Sequence, residues 1–148
     1  IIAVQKGNPK NIRSFDDLLA KGIKIVVTEG KGTYNTSGTG VWEDLAGRKG
    51  SLNDIARFRD NIVAYSLGSG ASFKAFKDEK ADAWITWPNW PLSNSKDMDM
   101  VSIDKDRAIW RDLNIVVSPK ADPQTKDFLN FLITKKGQKI MKTEGWQR

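Results

Sequence analysis

The 148-residue chain contains no cysteine and no histidine. Without cysteine it has no disulfide, no thiolate nucleophile and no cysteine metal site. Without histidine it lacks the usual general base and the commonest metal ligand. No apolar run approaches the roughly 18 residues that span a bilayer. The phosphate-binding pattern G-x-x-x-x-G-K-[ST] is absent, and neither of the two small-residue turns reads G-x-G-x-x-G followed by a suitably placed acid. A nucleotide site is therefore not expected, nor is any cofactor. There is no internal repeat and no low-complexity segment. The chain opens "IIAVQKGNPK", with neither Met nor the basic and apolar regions of a leader, so any signal peptide is expected upstream or already removed.

What is present reads as one globular domain with a sizeable core. Lys and Arg number 24 against 18 Asp and Glu, a net charge of +6, which favours anionic partners without choosing among small oxyanions, nucleic acid and acidic surfaces. Short β-branched runs alternate with helical stretches, the rhythm of an α/β fold with a mixed, mostly parallel sheet flanked by helices. Strands are expected at Ile1–Gln5, Ile23–Val27, Asn61–Tyr65, Ala83–Trp87, Met100–Ile103 and Ala108–Val117. Helices are expected from a Ser14 cap through Leu19, over Val41–Gly47 and Leu52–Phe58, after Ser69 with Phe73 and Phe76 on one side, and twice after Pro123. The segment "PNWPLSNSKDMD" reads as a loop because of its two prolines and polar cluster.

The polar run Gly30–Gly40, "GKGTYNTSGTG", offers backbone N–H groups and small side chains with almost no bulk. Thr36, Ser37, Gly38, Thr39 and Gly40 stand at one helix start, and Ser69, Gly70, Ala71 and Ser72 at another. A helix start carries unpaired N–H groups and about half a positive charge, so it binds oxyanions without a cationic side chain. In open α/β sheets such starts gather outside the carboxyl ends of the strands. The alternative is ordinary capping by Ser and Thr. Glu43 and Asp44 in the first turn oppose an anion there, and Arg111, Arg48 and Lys31 are candidate counter-charges, more often solvated.

"WITWPNW" sets Trp84, Trp87 and Trp90 around a strand end. Strand alternation puts at least one of them in the core, and Trp87, Asn89 and Trp90 form a candidate wall beside a ligand. Basic residues with aromatics also suit single-stranded nucleic acid, but here the Lys and Arg are scattered among acids, so nucleic acid is not expected as a partner.

The segments "VQKGNPKNIRSFDDLLAKGIKIVV", "GTGVWEDLAGR", "NIVAYSLGSGA", "ADAWITWPNW" and "FLNFLITKKGQKIMKTEGW" resemble, in collinear order over almost the whole chain, the periplasmic substrate-binding proteins of molybdate- and sulfate-type ABC transporters. The branch most similar is accessory colonisation factor C. The resemblance implies a lobe of the type II periplasmic-binding-protein fold that captures a small oxyanion or carboxylate, such as sulfate, molybdate, citrate or aspartate, and passes it to a membrane permease. It implies no enzyme. It assigns the ligand contacts to Thr36–Gly40, Ser69–Ser72 and Trp87. It also implies that a first lobe precedes Ile1 and is missing, so that the chain is a truncated one. Residues 1–118 are then the second lobe with hinge-crossing strands near 1–5 and 109–117, and 119–148 are helices that normally pack on the first lobe. Deprived of it, those helices are expected to fold back, swap with a second copy into an oligomer, or expose an apolar patch. The competing classes are an adhesion protein acting through Trp87 and Trp90, and a hydrolase, in which Asp82 or Glu43 would need a raised pKa and Ser69 an adjacent base that the sequence does not supply, Lys74 lying five residues on and outside Ser-x-x-Lys spacing.

Overall fold

The computed structural model describes residues 1–147. The chain divides into two compact units, Ile1–Trp110 and a second from Arg111 onward.

The first unit is built on five strands: β1 (Ile2–Gln5), β2 (Ile25–Glu29), β3 (Ile62–Leu67), β4 (Ala83–Ile85) and β5 (Met98–Val101), in the order β3-β2-β4-β1-β5. β2 is parallel to β3 and to β4, whereas β1 is antiparallel to β4 and β5. Four strands therefore run one way and β1 alone opposes them. The carboxyl ends of β2, β3 and β4 lie at the same end of the sheet.

Alternation along each strand feeds two cores. On one face Ile2, Val4, Ile25, Val27, Ala83 and Ile85 pack with Trp42, Leu45 and Phe58 from α1 (Val41–Gly47) and α2 (Leu52–Asp60). There Phe15 stacks on Phe58 at 5.4 Å and Phe58 on Trp42 at 5.7 Å. On the other face Ala3, Val26 and Trp84 meet Phe76 of α3 (Ser69–Asp78). Helices on both faces account for the near-continuous apolar reading of "IVV" at the centre of the sheet.

Three local expectations are corrected. Ser14 does not cap a helix: the element is a short 3₁₀ turn, Asp16–Leu19. The cap runs in reverse, with the Asp17 carboxylate accepting from Arg13 N, Ser14 N and Ser14 Oγ at 2.8–3.0 Å. The expected loop after β4 contains a one-turn helix, α4 (Asn89–Ser93). Its prolines stand at the N-cap and in the first turn, where an N–H is not needed. Residues 108–117 form no strand. Their β-branched side chains lack a neighbouring strand to pair with, and Val116 is 93% exposed; β propensity without a partner does not make a strand.

The second unit contains α5 (Pro123–Leu132) and α6 (Lys135–Thr143). Asp122 caps α5 through Thr125 N, and Thr134 caps α6 through Gly137 N, as the Asp-Pro sequence led one to expect for the first of them. Phe128, Ile133, Ile140 and Trp146 are each at least 40% exposed. The corner between the helices has no room: a Cβ on Gly137 would stand 2.2 Å from the Phe131 carbonyl oxygen and 2.9 Å from Leu132 Cα. Gly137→Ala is expected to cost about 1–3 kcal/mol, as overpacking does, and to speed amide hydrogen exchange in α5 and α6 while leaving the sheet amides unchanged.

Candidate functional site

The loop Gly30–Gly40 leaves the end of β2, makes a turn in which Thr39 N donates to Thr36 O at 3.0 Å and Thr36 N to Thr39 Oγ1 at 3.2 Å, and enters α1. At the neighbouring strand, β3 leads through Gly68 into α3. Gly68 N donates to Glu29 O at 3.0 Å, tying the two strand ends together. Gly38 is buried between them. A Cβ placed on it would meet Thr28 Cγ2 at 3.6 Å and Ser69 Oγ at 3.7 Å. The two small-residue turns, about thirty positions apart in sequence, therefore lie side by side, separated at Gly38 by about the space of one methyl group.

Both helices begin on glycine with positive φ, Gly40 at 72° and Gly68 at 79°, and neither N-cap makes a side-chain hydrogen bond. By contrast Ser51, Asp122 and Thr134 cap α2, α5 and α6 through their side chains. The Ser and Thr residues at the two site turns are thus not capping residues for their helices. In α3 the N–H groups of Ser69, Gly70 and Ala71 occupy the first three positions, which no intrahelical carbonyl serves. Gly70 and Ala71 are exposed, Ser69 half-buried.

Ser72 differs from its neighbours. It is fully buried; its hydroxyl lies 2.8 Å from Thr28 Oγ1 and donates to Gly68 O at 3.1 Å, and its N–H donates to the same carbonyl. Trp84 Nε1 completes the network by donating to Thr28 Oγ1 at 3.2 Å. Ser72 thus pins the start of α3 to β2. Losing a member of this network leaves buried polar atoms unpaired, at about 1–3 kcal/mol each.

Thr36 and Ser37 are exposed, Thr39 and Gly40 half-buried. A pocket of about 320 Å³ lies at the end of β2, lined by Thr28, Glu29, Gly30, Thr39, Gly40 and Glu43. Sequence reading placed Thr39 and Gly40 there and missed Glu29; only the strand end brings it opposite Glu43. Partial burial, and then the neighbouring charges of Asp44 and Glu29, push the Glu43 carboxyl above the ordinary carboxylate range.

Trp84 is core, with 0% exposure; alternation required at least one of the tryptophans to be so. Trp90 packs on Trp84 and Phe73, with ring centroids 5.3 and 5.7 Å apart. Trp87 lies two residues beyond β4, at the same end of the sheet as the two turns, packed against the α1/α2 core. Its Nε1 is buried with no hydrogen-bond partner among the described residues. Of the candidate counter-charges, Lys31 directly follows the pocket-lining Gly30, whereas Arg48 caps the opposite, C-terminal end of α1. Arg111 lies in the second unit. Lys74 pairs with Asp78 one turn along α3, and Asp82 accepts from Lys24 N at 2.9 Å.

One cation that sequence reading passed over is fully buried. Arg107 donates to the Leu45 and Ala46 carbonyls at 2.8 and 3.3 Å, closing the C-terminal end of α1. It pairs with Asp54 at 2.6 Å and lies 4.1 Å over the Phe15 ring. It fixes the helix whose other end lines the pocket.

With its doubly covered sheet and two glycine-started helices at one end, the chain belongs to the family of bacterial extracellular solute-binding proteins, which it matches over residues 1–147. It is 44% identical to PEB3 of Campylobacter jejuni. It superposes on the L-phospholactate-bound PEB3 crystal structure with a TM-score of 0.92 over all of this chain and 64% of that one. The sulfate-binding protein of Escherichia coli K12 is 26% identical over 94% of this chain and 42% of its own length. The Mycobacterium tuberculosis sulfate-binding protein SubI shares the fold, with a TM-score of 0.66 at 17% identity, over 97% of this chain and 54% of that one. The chain thus spans just under two thirds of PEB3 and about half of each sulfate-binding relative. Among its described residues no helix is long and apolar enough to cross a membrane.

Proposed function

We propose that the chain is the second lobe of an extracytoplasmic, periplasmic receptor that captures a small anion and delivers it to the permease of an ABC transporter. Residues Thr36–Gly40, Ser69–Ala71 and Trp87 are its contacts with the ligand, and the first lobe and permease are its partners. The observation that carries the reading is the close approach of two glycine-started helices, uncapped by side chains, at Gly38 and at the carboxyl end of the sheet. N–H groups left open at such a place bind an oxyanion and gain strength because the acceptor is ionised. The Trp87 N–H supports the reading, since a buried donor without a protein partner calls for one. Relatives bind sulfate or L-phospholactate, so sulfate, phosphate and carboxylate groups are the candidates here.

A thermal-shift titration tests it, with sulfate, molybdate, citrate and L-phospholactate against chloride at matched ionic strength. A ligand at one hundred times its dissociation constant is expected to stabilise the protein by about 2.7 kcal/mol, beyond what chloride screening produces. A null result both for this chain and for the chain joined to a first lobe from a relative would overturn the reading.

A further inference from the structure

The positive charge of the chain is unevenly spread. Ile1–Trp110 carries 16 Lys and Arg against 14 Asp and Glu, whereas Arg111–Arg148 carries eight against four. Half of those eight stand on α6: Lys135, Lys136, Lys139 and Lys142 are all exposed, and the helix contains no acid. Their spacing gathers them within about a third of the helix circumference. Gly137, which is buried, and Met141, half-buried, lie on the side turned away from them. Among the described residues none of the four forms an ion pair. The arrangement does nothing for the helix itself. Lys135 and Lys136 occupy the first turn, where the dipole disfavours cations, and Lys139 stands three or four residues from each of the other three, spacings at which like charges repel. Cations that weaken their own helix and have no protein partner suit an anionic partner outside the chain.

The chemistry narrows that partner. Lysine is a flexible point charge without the planar fork with which arginine grips a single carboxylate or phosphate. The four are spread along about 10 Å of helix, so they match extended negative charge better than one small ion. Cores of protein interfaces are depleted in lysine. Single-stranded nucleic acid is held by aromatics interleaved with the charges, and α6 has no aromatic residue. A bilayer containing anionic lipid presents a plane of negative charge, the surface that clusters of four or more lysines on an amphipathic helix recognise. We propose that the lysine face of α6 docks on an anionic bilayer surface and holds the protein at the membrane. A first lobe packed on the helical pair would leave this face in water, because burying four unpaired ammonium groups is costly.

The test is co-sedimentation of the 148-residue chain with vesicles of phosphatidylcholine alone and of equal parts phosphatidylcholine and phosphatidylglycerol. The wild type is expected to bind only the anionic vesicles, and to leave them when salt is raised from about 0.1 M to about 1 M and the Debye length falls from about 10 to about 3 Å. Each lysine near such a surface contributes about fivefold to partitioning. Replacing Lys135, Lys136, Lys139 and Lys142 together by Gln is therefore expected to weaken binding on the order of a hundredfold, and replacing all four by Arg to preserve it. The control carries Gln in place of Lys10, Lys21, Lys96 and Lys105, which are exposed and outside the ion pairs of the described residues. It has the same net charge as the first variant and is expected to bind like the wild type. Melting curves establish that every variant is folded. Equal losses in the two Gln variants would overturn the proposal, since overall charge would then explain binding. So would equal binding to neutral vesicles, or loss of binding when the chain is joined to a first lobe from a relative. Retention on immobilised polyglutamate without binding to anionic vesicles would also overturn it, in favour of an acidic protein partner.

Discussion

Arg107→Met is expected to lower the stability of the first unit by about 3 kcal/mol. Removing one partner of a buried pair strands the other, at about 3–5 kcal/mol. The lower end applies because the Asp54 side chain retains 19% exposure to water. The Leu45 and Ala46 carbonyls lose their donor at the same time. In a thermal melt the loss corresponds to about 10 °C for a chain of this length. Arg107→Lys is expected to recover less than half, since an ammonium cannot reach two carbonyls and a carboxylate from one planar fork. The pH dependence carries a sign. The hydrogen bond from Arg107 holds the Asp54 carboxyl below the ordinary carboxylate range. Its contribution is therefore present above the ordinary carboxylate pKa of about 4 and is lost as pH falls through the depressed folded value. The gap between wild type and Arg107→Met should narrow on acidification below about pH 4. A gap that is flat from pH 7 to pH 3 would mean that packing against Phe15, not the ion pair, accounts for the effect.

Gly30→Ala is expected to weaken anion binding by about thirtyfold or more, roughly 2 kcal/mol, with a stability change below about 1 kcal/mol. A Cβ on Gly30 would stand 2.2 Å from Thr39 Oγ1 and 2.7 Å from Asn35 Cα. The second of these is backbone, so the whole turn must move. That turn carries Thr36–Gly40 and two of the pocket-lining residues. Residues 31–37 are exposed, so displacing them costs little core packing, and the loss falls on the site. Gly47→Ala is the matched control, because its added Cβ meets Ile55 only at ordinary van der Waals distances of 3.4–4.0 Å, at the end of α1 away from the pocket. Calorimetric titration of both variants with whichever anion the thermal screen selects decides the matter. Equal affinity in the two would show that the loop does not touch the ligand.

Much of the fold was legible because local chemistry and the tertiary result agree. "IVV" followed by a polar turn reads as a buried parallel strand, alternation requires at least one of the "WITWPNW" tryptophans in the core, and Asp122-Pro123 marks the start of α5. Where reading failed, the deciding partner was remote in sequence. The run Ala108–Val117 has the residues of a strand but no neighbour to pair with. Ser14 resembles an N-cap until the Asp17 carboxylate reverses the direction of the bond. Ser72 belongs by position to a ligand-facing turn, yet its hydroxyl is engaged with Thr28, which lies 44 residues earlier.

The sequence by itself determined the α/β class, the absence of histidine and cysteine chemistry, and two turns rich in small residues, because composition, periodicity and glycine are local properties that physics reads in short windows. Only the tertiary structure decided that those turns lie side by side at Gly38, that Glu29 faces the same pocket as Glu43, and that Arg107 is a buried clamp on α1 and not a surface charge. Each depends on which strand ends lie side by side. That is set by the packing of both sheet faces at once, which no single window of the chain contains.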